Sequence, residues 1–335
     1  MPGASELSKV CSMYHAQFSA KLFCKNSGPF ICCPRHNAQV CHLVFRVRAQ
    51  QNNPSDDPPS RANALSATIK RKQKQVAELL NDMGEEALED RLQSATASPC
   101  RPPHRFAQLI QDSIPYGKAV LVAEVCRPSP SATSSDVAKL AADYVAWGVD
   151  AIAVATDLEE TPGGLQDLFA VCRAVKVPVL QWDWFLHPIQ VVEAKEAGAA
   201  GVIGVVANVL GNGSPIMTSF AAAIGLDAPL EVVNKTEVTR LGDIGVPFFG
   251  INLSVGLSLA LPGFQTDMAK GLLNNMPQGV ITLVGAKSPS DAVQARAAGA
   301  DAVLLKKEML ALKGQSRQDL RQLIEQLKYS MSGDD

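Results

Sequence analysis

The chain has 335 residues, 47% of them hydrophobic and 19% charged, with a formal net charge of −2. That length and apolar content bury one large core, enough for a single α/β barrel with residues to spare, while the weak, slightly negative charge speaks against a nucleic-acid partner. No apolar run reaches the roughly 18 to 20 residues that a membrane helix needs, so no transmembrane segment is expected.

The spare residues come first. Within residues 1–49, Lys9, Lys21, Lys25, Arg35, Arg46 and Arg48 face a single acid, Glu6, among scattered Ser and Cys. This is the acid-poor pattern of an organelle transit peptide, and Val44-Phe45-Arg46-Val47-Arg48-Ala49 resembles the end of a chloroplast one. The expected compartment is therefore the plastid stroma, with a mature part more acidic than the whole chain. Five of the eight cysteines fall in this leader, leaving Cys100, Cys126 and Cys172 without paired spacing. Neither a disulfide framework nor a metal site is predicted, and no cofactor motif is read. Residues 50–64, rich in Asn, Pro, Asp and Ser, read as a flexible linker.

The fold is expected to occupy residues 65–335. Ile69, Val76, Leu79 and Leu80 recur at helical spacing between Lys70, Arg71, Lys72 and Lys74, which predicts an amphipathic opening helix. Short apolar runs then alternate with helical patterns: Val120–Glu124, Ala151–Ala155, Val179–Trp182, Gly201–Val205, Leu230–Val233, Phe248–Asn252, Val280–Val284 and Ala302–Leu305. Eight strands in a βα rhythm predict a (β/α)₈ barrel. The intervening helices are legible over 136–148, 188–198 and 290–299, each opening near a cap or Pro and ending at Gly. A closing helix over 318–329 puts Leu320, Leu323, Ile324 and Leu327 on one face.

Barrel chemistry sits at the carboxyl ends of the strands. The run Glu124-Val125-Cys126-Arg127-Pro128-Ser129-Pro130-Ser131 lies at such an end and resembles the Glu-x-Lys-Arg-x-Ser-Pro-Ser of indole-3-glycerol-phosphate synthase, the carboxy-lyase of tryptophan biosynthesis. Further matches follow in order: Ala151-Ile152-Ala153-Val154-Ala155-Thr156-Asp157 with Gly163-Gly164-Leu165, then Pro178-Val179-Leu180-Gln181-Trp182-Asp183-Trp184, then Leu230-Glu231-Val232-Val233-Asn234 and Gly250-Ile251-Asn252. The likeness spans roughly residues 65 to 312. It implies an extra amino-terminal helix packed on the barrel, and site residues Glu124, Glu231 and Asn252, of which Glu231 corresponds to a general base.

Two departures shape the functional expectation. Cys126 stands where the family has a catalytic lysine, and Trp182 where it has the lysine that protonates the substrate's carbonyl oxygen during ring closure. An indole has no ammonium to give. With both lysines gone, Glu124 and Glu231 should repel each other and one pKa should rise. The phosphate grip is altered too: the family arginine is Ser254, its Glu-Ser-Gly-Ile keeps only Gly285, and its Gly-Ser pair is Lys306-Lys307. Ser129, Gly285, Lys306 and Lys307 are the candidates for holding a phosphorylated small molecule, although a lysine pair at a helix start is commonly solvated.

These losses predict a non-catalytic, synthase-like plastid protein that binds a protein or ligand, with a role in assembling or repairing a photosynthetic complex as one task. The alternative is a working synthase with an altered site. Trp182, Trp184, Phe185 and the Gly-rich apolar stretch over 255–264, including Leu257, Leu259 and Phe264, are the candidate surface for a plastid partner.

Overall fold

The computed structural model describes residues 61–159, 161–251, 264–310 and 316–332, the side chains of 61–64 and 264–266 excepted. The expected transit peptide, most of the expected linker, and Asn252, Leu257 and Leu259 lie outside the described residues, as does the side chain of Phe264.

Nine parallel strand segments form one sheet: β1 Val120–Val125, β2 Ala151–Ala155, β3 Val179–Trp182, β4 Gly201–Ile203, β5 Val205–Val206, β6 Leu230–Val232, β7 Phe248–Ile251, β8 Ile281–Ala286 and β9 Ala302–Leu305. Their order, β4-β3-β2-β1-β9-β8-β7-β6-β5, begins and ends on segments separated in the chain by Gly204 alone. β4 and β5 are thus halves of one bent strand, and the sheet returns on itself as the expected eight-fold barrel. The bend needs glycine. Gly204 has φ +115°, and a Cβ there would overlap the Asp183 carbonyl oxygen; Asp183 N–H donates to the Ile203 carbonyl (3.1 Å) and Phe185 N–H to that of Gly204 (3.3 Å).

Both faces of the strands are covered, as their unbroken apolar runs require. Alternate residues point inward, where Val120, Val122, Ala153, Leu180, Leu283 and Leu304 share one cluster. The amino-terminal end of the barrel is plugged by the helix α3, Arg105–Ser113, whose Phe106 and Ile110 are fully buried. The Phe106 ring lies 5.9 Å from that of Phe248. Asp227 anchors this plug: its Oδ2 accepts the N–H groups of Phe106 and Ala107, each at 2.9 Å, and its Oδ1 meets His104 Nδ1 at 3.1 Å. A carboxylate at a helix start satisfies donors that have no partner within the helix.

Outside the barrel, α4, Ser134–Ala146, and the closing helix over Arg317–Ser330 open on capping boxes, Thr133 with Asp136 and Ser316 with Asp319. Among the described residues no helix is long and apolar enough to cross a membrane. Two helices precede the plug, α1 Arg61–Met83 and α2 Glu85–Ala97. α1 starts four residues inside the expected linker, where Arg61-Ala62-Asn63-Ala64 offers good helix formers. Its Lys72 reaches the carboxyl side of the barrel, with Nζ 2.6 Å from Asp183 Oδ1 after β3 and 3.7 Å from Asp157 Oδ1 after β2. Arg71 Nη2 meets Asp157 Oδ2 at 2.5 Å.

Candidate active site

The register of the barrel builds the site. β1 pairs with β9 as Val120↔Ala302, Val122↔Leu304 and Ala123↔Leu305, so one step further Glu124 stands beside Lys306. Both continue the inward series of their strands, and both are buried, at 2% and 5% exposure. Lys306 Nζ lies 3.9 Å from Glu124 Oε2 and 3.0 Å from the centre of the Trp182 ring. Glu124 Oε2 also accepts the Lys307 backbone N–H at 2.8 Å, and Oε1 has no hydrogen-bond partner among the described residues. The inward residues of β2 leave room for the indole: Ala155 pairs in register with Trp182, and Ala151 and Ala153 lie below it.

Glu231 joins from β6, again 2% exposed. Its side chain needs Gly250 as a neighbour, since a Cβ at that position would approach Glu231 Cγ to 2.9 Å, closer than packed carbons tolerate. Trp182, Ile203, Glu231, Gly250, Gly285 and Lys306 line a cavity at this mouth.

Burial governs the electrostatics. The Glu124 carboxyl is pushed up to about 7, first by desolvation, with Lys306 and the Lys307 N–H opposing. Lys306 is pushed down from the ordinary lysine value, again first by desolvation, with Glu124 and then Glu231 opposing. Each charge is disfavoured by its surroundings and favoured by its partner. A rise at one carboxyl agrees with the sequence expectation, but its leading cause is loss of water rather than repulsion between the two glutamates.

Several expectations need correction. Lys306 is not a solvated lysine at a helix start: it points into the barrel. Trp182 is not an outward partner residue but half-buried beneath the Lys306 ammonium, and Phe185 is 1% exposed and belongs to the core. Trp184 is half-buried, its backbone N–H donated to Asp183 Oδ1 at 2.7 Å. Lys307, half-buried, contributes its backbone N–H to Glu124. Ser129 lies exposed on the loop after β1, its Oγ 3.1 Å from that of Ser131, and is not among the residues lining the cavity. Gly285 is. Cys126 is half-buried, and Arg127 beside it is locked to Asp167 through Nε (2.8 Å) and Nη2 (3.0 Å) and to the Ala132 carbonyl through Nη1 (2.8 Å).

Sequence reading missed two things. The inward parity Ala302, Leu304, Lys306 was available, and would have put the ammonium inside. Lys72 shares a helical face with Ile69, Val76 and Leu79, a spacing that marks it as buried; it ties α1 to the loop immediately after Trp182.

The family model for indole-3-glycerol phosphate synthase matches residues 65–327. The indole-3-glycerol phosphate synthase of Opitutus terrae is 32% identical over 247 residues, covering 70% of this chain and 88% of that protein. That of Beutenbergia cavernae is 34% identical over 212 residues, covering 61% and 76%, and that of a Parafrankia strain 35% over 191 residues, covering 55% and 70%. The chain belongs to the indole-3-glycerol phosphate synthase family.

Proposed function

We propose that this protein is a ring-closing carboxy-lyase of the indole-3-glycerol-phosphate-forming type, working at the carboxyl mouth of the barrel within the plastid stroma. The observation that carries the reading is the convergence of three ionisable side chains, Glu124, Glu231 and Lys306, on one water-poor mouth. Taking each such ion out of water costs several kcal/mol in effective terms. A scaffold has no use for that expense, whereas acid–base catalysis needs groups whose pKa values are moved toward the working pH. In this reading Glu231 is the base, as its family counterpart is, and Gly285 lets a phosphorylated substrate approach the backbone.

The non-catalytic scaffold expected from the sequence drew on the loss of both family lysines. Lys306 weakens that premise, because an amine stands at the mouth after all. The test is formation of indole-3-glycerol phosphate by the purified protein, together with growth of a tryptophan-requiring strain that expresses it. Turnover abolished by Glu231→Gln supports the reading; a folded protein with neither turnover nor growth overturns it and returns the scaffold to first place.

A further inference from the structure

Trp182 and Lys306 are a matched exchange. The family places an ammonium at the end of the third strand and small residues after the last one; this chain has a ring at the first position and an ammonium at the second. The two meet: Lys306 Nζ sits 3.0 Å from the centre of the Trp182 ring, on the inner side of the barrel. An aromatic face holds a cation most strongly where water is excluded, and Lys306 is 5% exposed. The ring therefore seats the amine, and the alanines of β2 make space for the seat.

We propose that Lys306 is the catalytic residue that gives a proton to the substrate's carbonyl oxygen, and that Trp182 is the positioning residue that aims it. The inference rests on the synthase reading above. In ring closure with loss of CO2, a new carbon–carbon bond forms between the aromatic carbon bearing the carboxylate and the carbonyl carbon. The carbonyl π pair becomes an O–H bond with the proton from Nζ, which is left as a neutral amine. The bond to the carboxylate then breaks, its electron pair restores the aromatic ring, and CO2 departs. The new hydroxyl finally leaves as water while a base takes a proton from the adjacent ring carbon, whose C–H pair becomes the indole double bond. Glu124, 3.9 Å from Nζ, is placed to return a proton to the amine.

Two observations separate this role from simple attraction of a phosphate. The backbone N–H that follows Lys306 is already given to Glu124 at 2.8 Å, so that donor is turned to the carboxylate rather than to a phosphate. Burial also lowers the pKa of Lys306, which suits an amine that must release its proton near neutrality.

The experiment measures kcat and KM for indole-3-glycerol phosphate formation, from pH 6 to 10, in the full chain and in Lys306→Met, Lys306→Arg and Trp182→Phe. Removal of a positioned acid lowers kcat by about 100- to 10,000-fold. We expect that loss in both Lys306 variants, with KM changed by less than about threefold, because arginine keeps the charge but does not release its proton. Trp182→Phe, with a poorer seat for the cation, should shift the basic limb of the kcat profile to lower pH. Activity within about threefold of wild type in Lys306→Met overturns the inference and leaves the synthase reading standing. Loss in Lys306→Met but not in Lys306→Arg assigns a charge role only, and also overturns it. Absence of turnover in the wild type overturns the reading and the inference together.

Discussion

Replacing Glu124 by Gln isolates the effect of burial on a single carboxyl. Its pKa is raised from 4.5 to about 7, so between those values the folded protein holds a proton that the unfolded chain has released. Stability contributed by this group is then fully present below pH 4.5 and is lost as pH rises through 7. One proton is worth about 1.4 kcal/mol per pH unit, and the window of two and a half units amounts to about 3 kcal/mol. Glu124 is 2% exposed, so little solvent screening reduces this figure. Gln has nearly the same shape and no titrating proton. In urea unfolding followed by circular dichroism at half-unit steps from pH 4.5 to 8, wild-type stability minus that of Glu124→Gln should fall by about 3 kcal/mol and level off above neutrality. Parallel curves would refute burial as the dominant influence. A difference that grew with pH would mean that the Lys306 ammonium outweighs desolvation and holds Glu124 ionised.

Three other changes probe the frame around the site. Gly204→Ala places a Cβ on the Asp183 carbonyl at a φ of +115°; it should destabilise by more than about 3 kcal/mol, read as a collapse of the thermal midpoint. Lys72→Met leaves Asp183 buried without its cation and should cost about 3 to 5 kcal/mol in urea unfolding, and the double variant with Asp183→Asn should recover more than half of that loss. Asp227→Ala removes the single oxygen that accepts two N–H groups of the plug helix and should cost about 2 kcal/mol, with the intrinsic fluorescence of the mouth tryptophan Trp182 unchanged because the damage lies at the far end of the barrel.

Much of the barrel was legible because its strands are buried on both faces. A run such as Ala119-Val120-Leu121-Val122-Ala123 has no other use in a chain of this kind, and the eight runs proposed coincide with the observed strands to within a residue or two. The break at Gly204 was not legible, since a lone glycine inside an apolar run gives no sign of whether the chain bends there. At the mouth, the sequence expectation of Glu124 and Glu231 as neighbours there agrees with their burial, whereas Lys306 was expected to be solvated and is buried. Proximity across the ring is what matters there: the Lys306 ammonium, just beyond the ninth segment, lies over the Trp182 ring of the third. Only register and inward parity carry that information. The ties between α1 and the loops after β2 and β3 were hidden for a related reason, because partners more than eighty residues apart leave no local pattern.

In mechanical terms the bent fourth strand is a seam. β4 pairs with β3 and, through Gly201, with Asp227 ahead of β6, whereas β5 pairs with β6, so the change of partner falls at Gly204. Two short segments of three and two residues make up this strand, and bonds from Val202 N–H to the Asp227 carbonyl and from Asp227 N–H to that of Ala200 support its first half. The seam abuts the loop that holds Asp183 and its cation from α1, for the Asp183 N–H bonds the Ile203 carbonyl. The amino-terminal helix thus ties down the β2 and β3 side of the bend, and hydrogen exchange at Val205 and Val206 should report how readily the other side opens.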